Sequence, residues 1–165
     1  MIVEARALAH TSLQAAATRL RLLLVSPEAG VLASSAATDA ESVLMRAGVA
    51  GLSKQIAVQA LEPSHRPGRV VIPMRWVATG RGGDLFPALD GNLELLARPD
   101  GDTDLHLVGS YEAPLGRAGE VLDQLVMHRV ARHTLESFVR RIAEAIGDVQ
   151  PGPAPRPHLD PQPET

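Results

Sequence analysis

Between residues 119 and 146 the chain contains no proline and repeats its apolar residues with a helical period. Nothing else in the sequence restricts the fold as strongly, because a helix of that length with one apolar stripe has to lie on something. At about 100° per residue, Arg129, Arg132, His133, Glu136, Arg140 and Glu144 fall on one face. Arg132–Glu136 and Glu136–Arg140 stand there at the i,i+4 spacing of ion pairs. Met127, Val130, Ala131, Thr134, Leu135, Phe138 and Ile142 fall on the other face. The expected partner for such a stripe is a sheet with a single apolar face.

Four strand-like runs supply that sheet: Lys54–Leu61, Arg69–Thr79, Gly91–Arg98 and Asp104–Glu112, each bounded by proline, glycine or Asp-Gly turn signals. Their short connections predict an antiparallel meander. Alternation sends Ile56, Val58, Ala60, Ile72, Met74, Trp76, Leu93, Leu95, Leu105, Leu107 and Tyr111 to one side. Arg75, Glu94, His106 and Glu112 go to the other, so one face is buried and one is wet. Ahead of these runs, Ile2–Ala9 alternates as a short first strand. Thr11 or Ser12 then caps a helix over Leu13–Val25, which Pro27 and Gly30 stop. A weaker helix is expected from Thr38-Asp39, closed by Gly48 and Gly51.

Six of the thirteen prolines lie in the last fifteen residues, at 151, 153, 155, 157, 161 and 163. The segment after Gly147 therefore forms neither helix nor central strand, and it reads as a disordered, polyproline-like, solvated appendage. The domain is expected to span residues 1–147, with the proline-rich tail at 148–165. Sixteen basic and nineteen acidic side chains give a net charge of −3, without the basic excess of a nucleic-acid binder. The absence of cysteine removes disulfides and thiolate chemistry. No apolar run reaches membrane-spanning length and the N-terminus lacks a signal-peptide pattern, so the chain reads as soluble and cytoplasmic.

The order strand, two helices, antiparallel meander and long helix is the helix-grip arrangement of an α+β fold. Residue blocks support it: Val71-Ile72-Pro73-Met74-Arg75-Trp76, Leu85-Phe86-Pro87-Ala88-Leu89-Asp90, Gly109-Ser110-Tyr111-Glu112-Ala113-Pro114-Leu115-Gly116, Leu122-Asp123 and His128-Arg129-Val130-Ala131. On these blocks the chain resembles the START-like superfamily of polyketide cyclases and lipid-transport proteins, also called SRPBCC. The resemblance covers residues 1–147. It implies a curved sheet wrapped around the C-terminal helix and an apolar cavity between them that receives a lipid, polyketide or other hydrophobic molecule. It also implies more strands after the helix pair than the four read here.

A cavity under the helix requires small or polar groups where a packed core has large ones, and Asp123, Gln124, Ala131 and Thr134 meet that description beside Met127. With Met74, Trp76, Phe86, Leu107 and Tyr111 from the sheet side they make the expected ligand-binding set. No catalytic residue, cofactor or metal is expected. His128 lies at the flank of the helix, and Asp123, His128 and Tyr111 are the acid–base candidates if the cavity is that of a cyclase or dehydratase. Pro99-Asp100-Gly101-Asp102-Thr103-Asp104 begins like a calcium loop, but Leu105 replaces the required glycine and Tyr111 the required glutamate, so it reads as a hairpin turn. Gly80-Arg81-Gly82-Gly83 lacks the ending of a phosphate loop and reads as a loop over the cavity. Leu122, Leu125 and Val126 project beside the charged face, and either the loop 113–118 or a second subunit in a homodimer has to cover them. Three functions stay open: a non-catalytic binder of a hydrophobic small molecule, a cyclase or dehydratase, and an interaction module with a filled core.

Overall fold

The computed structural model describes residues 2–36, 55–79, 88–112 and 124–147 of the 165-residue chain. In chain order these form β1 (Ile2–Ala9), α1 (Leu13–Val25), α2 (residues 28–36), β2 (Gln55–Ala60), β3 (Ser64–Arg66), β4 (Arg69–Thr79), β5 (Ala88–Ala97), β6 (Thr103–Glu112) and α3 (Gln124–Ile146). The result is an α+β architecture in which six antiparallel strands make one open sheet and three helices accompany it. The Thr38–Gly51 helix, the tail after Gly147 and the start of the long helix before Gln124 lie outside the described residues.

Ser12 begins α1 in extended conformation, and its Oγ accepts the Ala15 amide at 3.4 Å. Pro27 ends the helix as expected, but Gly30 does not. Ser26 closes α1, its amide bonding the Leu23 carbonyl, and then opens α2, its Oγ accepting the Glu28 amide at 3.2 Å. Pro27 stands just ahead of α2, where the amides at the start of a helix have no intrahelical partner and a missing N–H costs nothing. Gly30 is carried inside α2, whose Ala29, Ala33 and Ala36 form the buried stripe.

The strand order is β1-β6-β5-β4-β2, with β3 pairing the start of β4. β4–β5–β6 is the expected meander, and β1 adds to its far side along its whole length. The three-residue β3 is not legible as a strand, because its residues are all exposed and prolines flank it. It turns into β4 through Pro67-Gly68, and the positive φ of Gly68 (69°) after a proline is the geometry of a type II turn. β2 and β3 are in effect one edge strand with a bulge. Ala60 faces Met74 and Ser64 faces Val71, so residues 61–63 oppose only Ile72 and Pro73. The Pro73 carbonyl accepts the Leu61 amide at 2.8 Å, so the donor-less nitrogen of Pro73 also points at the bulge, where the ladder is interrupted.

Register aligns the inner face in rows across the strands: Ile72, Leu93, Leu107 and Ala5 form one, and Leu95 and Leu105 stand in the next. Leu93, Leu95, Leu105 and Leu107 are wholly buried, as are Leu135, Phe138, Val139, Ile142 and Ile146 of α3. Phe138 meets Trp76 edge to face, with ring centroids 5.3 Å apart. In the next row on the other side, between Met74 and Val3, Gly91 faces Gly109, and β5 and β6 approach closely there. A Cβ on Gly91 would stand 2.6 Å from the Val108 carbonyl oxygen, and one on Gly109 would stand 2.9 Å from that of Asp90. Backbone, not side chain, blocks the space at Gly91.

Two stability outcomes follow. Gly91→Ala forces β5 and β6 apart and lowers unfolding free energy by about 2 kcal/mol, read as a reduced midpoint in urea denaturation. Phe138→Ala removes the aromatic contact and leaves a cavity, a loss of about 3–5 kcal/mol in the same measurement.

Candidate functional site

The candidate site lies where α3 crosses the inner face of the sheet. Two contacts orient the helix. At its C-terminal end the Ile146 carbonyl accepts the Arg19 guanidinium at 2.8 Å, and Gly147 stands beside the His10 backbone at the end of β1. Two turns earlier, Phe138 reaches Trp76 on β4. Thr134 and Ala131 therefore follow about 6 and 10 Å beyond Phe138, toward the end of the sheet where β4 leaves and β5 enters. Both are buried.

Of the residues expected to bind a ligand, Met74, Trp76, Leu107, Ala131 and Thr134 are buried, and Trp76 meets Phe138 of α3. Tyr111 is placed by its backbone, opposite Leu89 on the inner row that also holds Trp76. Gln124 and Met127 lie in the first turns of α3, placed by their backbone alone. Phe86 and Asp123 lie outside the described residues. Leu125 and Val126 belong to the same turns of α3 and Leu122 precedes the described part, so the dimer surface is not among the described side chains.

The charged face of α3 is as the period predicts: Arg129, Arg132, His133, Glu136, Arg140 and Glu144 are all exposed. Arg132 pairs with Glu136 at 3.4 Å, but Arg140 turns to Glu144 at 3.9 Å instead of back to Glu136. Either choice keeps an i,i+4 spacing, and such exposed pairs contribute little. His128 is half-buried at the flank of the helix. Ser137, which the sequence reading passed over, is buried and accepts from Arg141 Nε at 3.4 Å. A small polar residue inside an apolar stripe was its only signal.

The outer face of the sheet carries charge. His106 stands 3.3 Å from Glu4, Arg69 bonds Glu94, and Arg75 lies 3.5 Å from Asp90. At the β5–β6 turn, the calcium-like run is a hairpin turn, and each of its carboxylates has a protein partner. Asp100 accepts from Arg98 Nε at 3.1 Å and from the Asp102 amide at 3.2 Å. Asp104 receives Arg98 Nη1 at 3.3 Å, and Asp102 lies 2.9 Å from His10 Nδ1. No group of three or more metal-ligating side chains occurs among the described residues. No helix among them is long and apolar enough to cross a membrane.

No protein-family model and no curated protein matches the chain. Among solved structures it is similar to the crystal structure of TTHA0849 from Thermus thermophilus. The TM-score is 0.44 and the identity 13%, with 88% of this chain and 97% of that chain covered. The functional reading accordingly rests on the residues of this chain.

The hydrogen bond from Arg98, joined by that from the Asp102 amide, holds the Asp100 carboxyl below its usual range, and Asp100 raises Arg98 in return. A depressed carboxyl contributes stability above the ordinary carboxylate range and loses it as the pH falls through its own folded-state titration. Arg98→Ala moves the Asp100 midpoint upward toward the ordinary value, measured by carbon-13 NMR titration of the carboxyl; an unchanged midpoint would contradict the assignment.

Proposed function

We propose that the chain is a binding protein of helix-grip architecture, of the START-like kind, that holds a lipid or polyketide-like hydrophobic molecule between the sheet and α3 without catalysing a reaction. The single observation that carries this reading is the change in side-chain size along the buried stripe of α3. Toward its C-terminal end Phe138, Val139, Ile142 and Ile146 are buried with Ser137 and Ala143 among them, whereas the buried stripe toward the other end starts with Ala131 and Thr134 ahead of Leu135.

A helix that only sealed a core would keep bulky residues along its whole stripe, because interiors pack to near-crystalline density. Small residues leave room for apolar atoms that do not belong to the chain. Burial of those atoms supplies affinity at about 25 cal/mol per Å² before the cost of ordering the ligand is subtracted. The Thr134 hydroxyl is a polar group on that same stripe, suited to selecting a ligand with one polar atom. Trp76 and Met74 provide the flat and adaptable surfaces that the opposite wall needs.

Trp76 is the sole tryptophan, so its emission reports on the site directly. A long-chain fatty acid or an apolar polyketide shifts or quenches that emission in a saturable titration, and native mass spectrometry of the protein from its own host retains such a molecule near one to one. Ala131→Phe fills the small position and weakens binding by about tenfold or more while leaving the circular dichroism of the fold intact. Thr134→Val, nearly the same size, preserves binding of a pure hydrocarbon and weakens that of a ligand bearing a hydroxyl or carboxyl. An empty protein whose Trp76 emission ignores every apolar probe overturns the proposal.

A further inference from the structure

The sheet ends at β1, which pairs with β6 on one side and, among the described residues, with no strand on the other. An uncovered edge presents alternate backbone N–H and C=O groups to any extended segment, a liability that folds ordinarily manage. Along the C-terminal half of this edge runs an open groove of about 690 Å³, lined on the strand side by Arg6, Ala7, Leu8 and His10 and on the helix side by Glu136, Arg140, Ala143 and Glu144. Gly147 forms its end. The Gly147 amide closes α3 on the Ala143 carbonyl at 2.9 Å, and a Cβ placed there would lie 3.8 Å from the His10 amide nitrogen. The chain therefore leaves α3 in the mouth of the groove, beside the last residues of β1.

The sequence that follows has an alternation that matches this edge. Its prolines stand at 151, 153, 155 and 157 and again at 161 and 163, all odd positions. In an extended strand the N–H groups of successive residues point to opposite edges. A strand with proline at every second position has therefore lost every donor on one edge and kept the full set on the other, here from Gln150, Gly152, Ala154 and Arg156. Proline is tolerated in a strand when its nitrogen faces solvent at an edge, and the fixed φ of proline lies inside the extended region.

We propose that residues 150–157 dock in this groove as a one-sided strand, antiparallel to β1, donating from the even-numbered residues and turning the donor-less prolines outward. Residues 148 and 149 make the reversal. Eight extended residues span about 26 Å, the length of β1 itself. The docked segment satisfies the β1 edge and is itself unable to receive another strand, so the sheet ends there. This proposal is independent of what the interior binds.

Amide hydrogen exchange by NMR on the full chain tests it. The β1 amides that point away from β6, every second residue, exchange about tenfold or more slowly than unbonded edge amides. Gly152→Pro with Ala154→Pro removes donors from the even register and abolishes that protection. Pro153→Ala with Pro155→Ala leaves the even donors intact and retains it. The β1 amides bonded to β6 stay protected in all variants and report that the domain is folded. Unprotected outward amides in the unaltered chain, or protection that survives the Gly152→Pro and Ala154→Pro pair, overturns the proposal. Protection that appears only with increasing concentration and a dimer mass also overturns it, assigning the groove to the segment of a second copy.

Discussion

The burial of the sheet's inner face beneath its helices, with α3 packed along β1 and β6 and reaching Trp76 of β4 through Phe138, and α1 set against β5 and β2, is the interaction on which the other features depend. Leu93, Leu95, Leu105 and Leu107 from the sheet, and Leu135, Phe138 and Ile142 from the helix, have essentially no solvent contact. Each such side chain contributes about 1.5–3 kcal/mol on leaving water, against the conformational entropy of the strands and helix that it orders. Because a side-chain period of two ties face to register, a one-residue slip of any strand would turn these leucines to solvent. The same burial that stabilises the sheet therefore also selects its pairing.

That selection carries through to shape. Gly91 and Gly109 lie opposite each other on the inner face, where β5 and β6 come too close for side chains, and the bulge at residues 61–63 bends the far edge beside Pro73. Both devices sit in strands that otherwise alternate regularly. A bulge and a close glycine pair are the devices by which strands leave a regular pleat.

Much of this was legible in the residues. The boundaries of β1, α1 and β4 and the exposed face of α3 follow from alternation, helical period and turn chemistry, because each is a local property repeated over enough positions to be unambiguous. β3 was hidden because three exposed residues between prolines carry no period. The continuation of the chain through Gly30 into α2 was hidden because Ser26 serves two helices at once, and a capping residue is read in only one direction from sequence. Of the candidate site, the sheet-facing Met74, Trp76 and Leu107 and the helix residues Ala131 and Thr134 were named from the faces they occupy, and these faces are the buried ones.

The sequence by itself determined most of the inward-facing residues of β4, β5, β6 and α3, since facing follows from the periods of strand and helix; Ala60, expected inward, is exposed because it sits on the edge strand beside the bulge. It also determined the turn at Asp100–Asp104, whose glycine and whose Asp100 and Asp104 carboxylates act within a few residues of Arg98, whereas Asp102 reaches His10 on a distant segment. Only the tertiary structure decided that β1 closes against β6, that Phe138 meets Trp76, that Arg19 holds the end of α3, and that Gly147 emerges beside His10 at the free edge of the sheet. These pairings join segments separated by tens of residues or more, and the energy that chooses among them comes from the fit of whole surfaces, which no local pattern encodes.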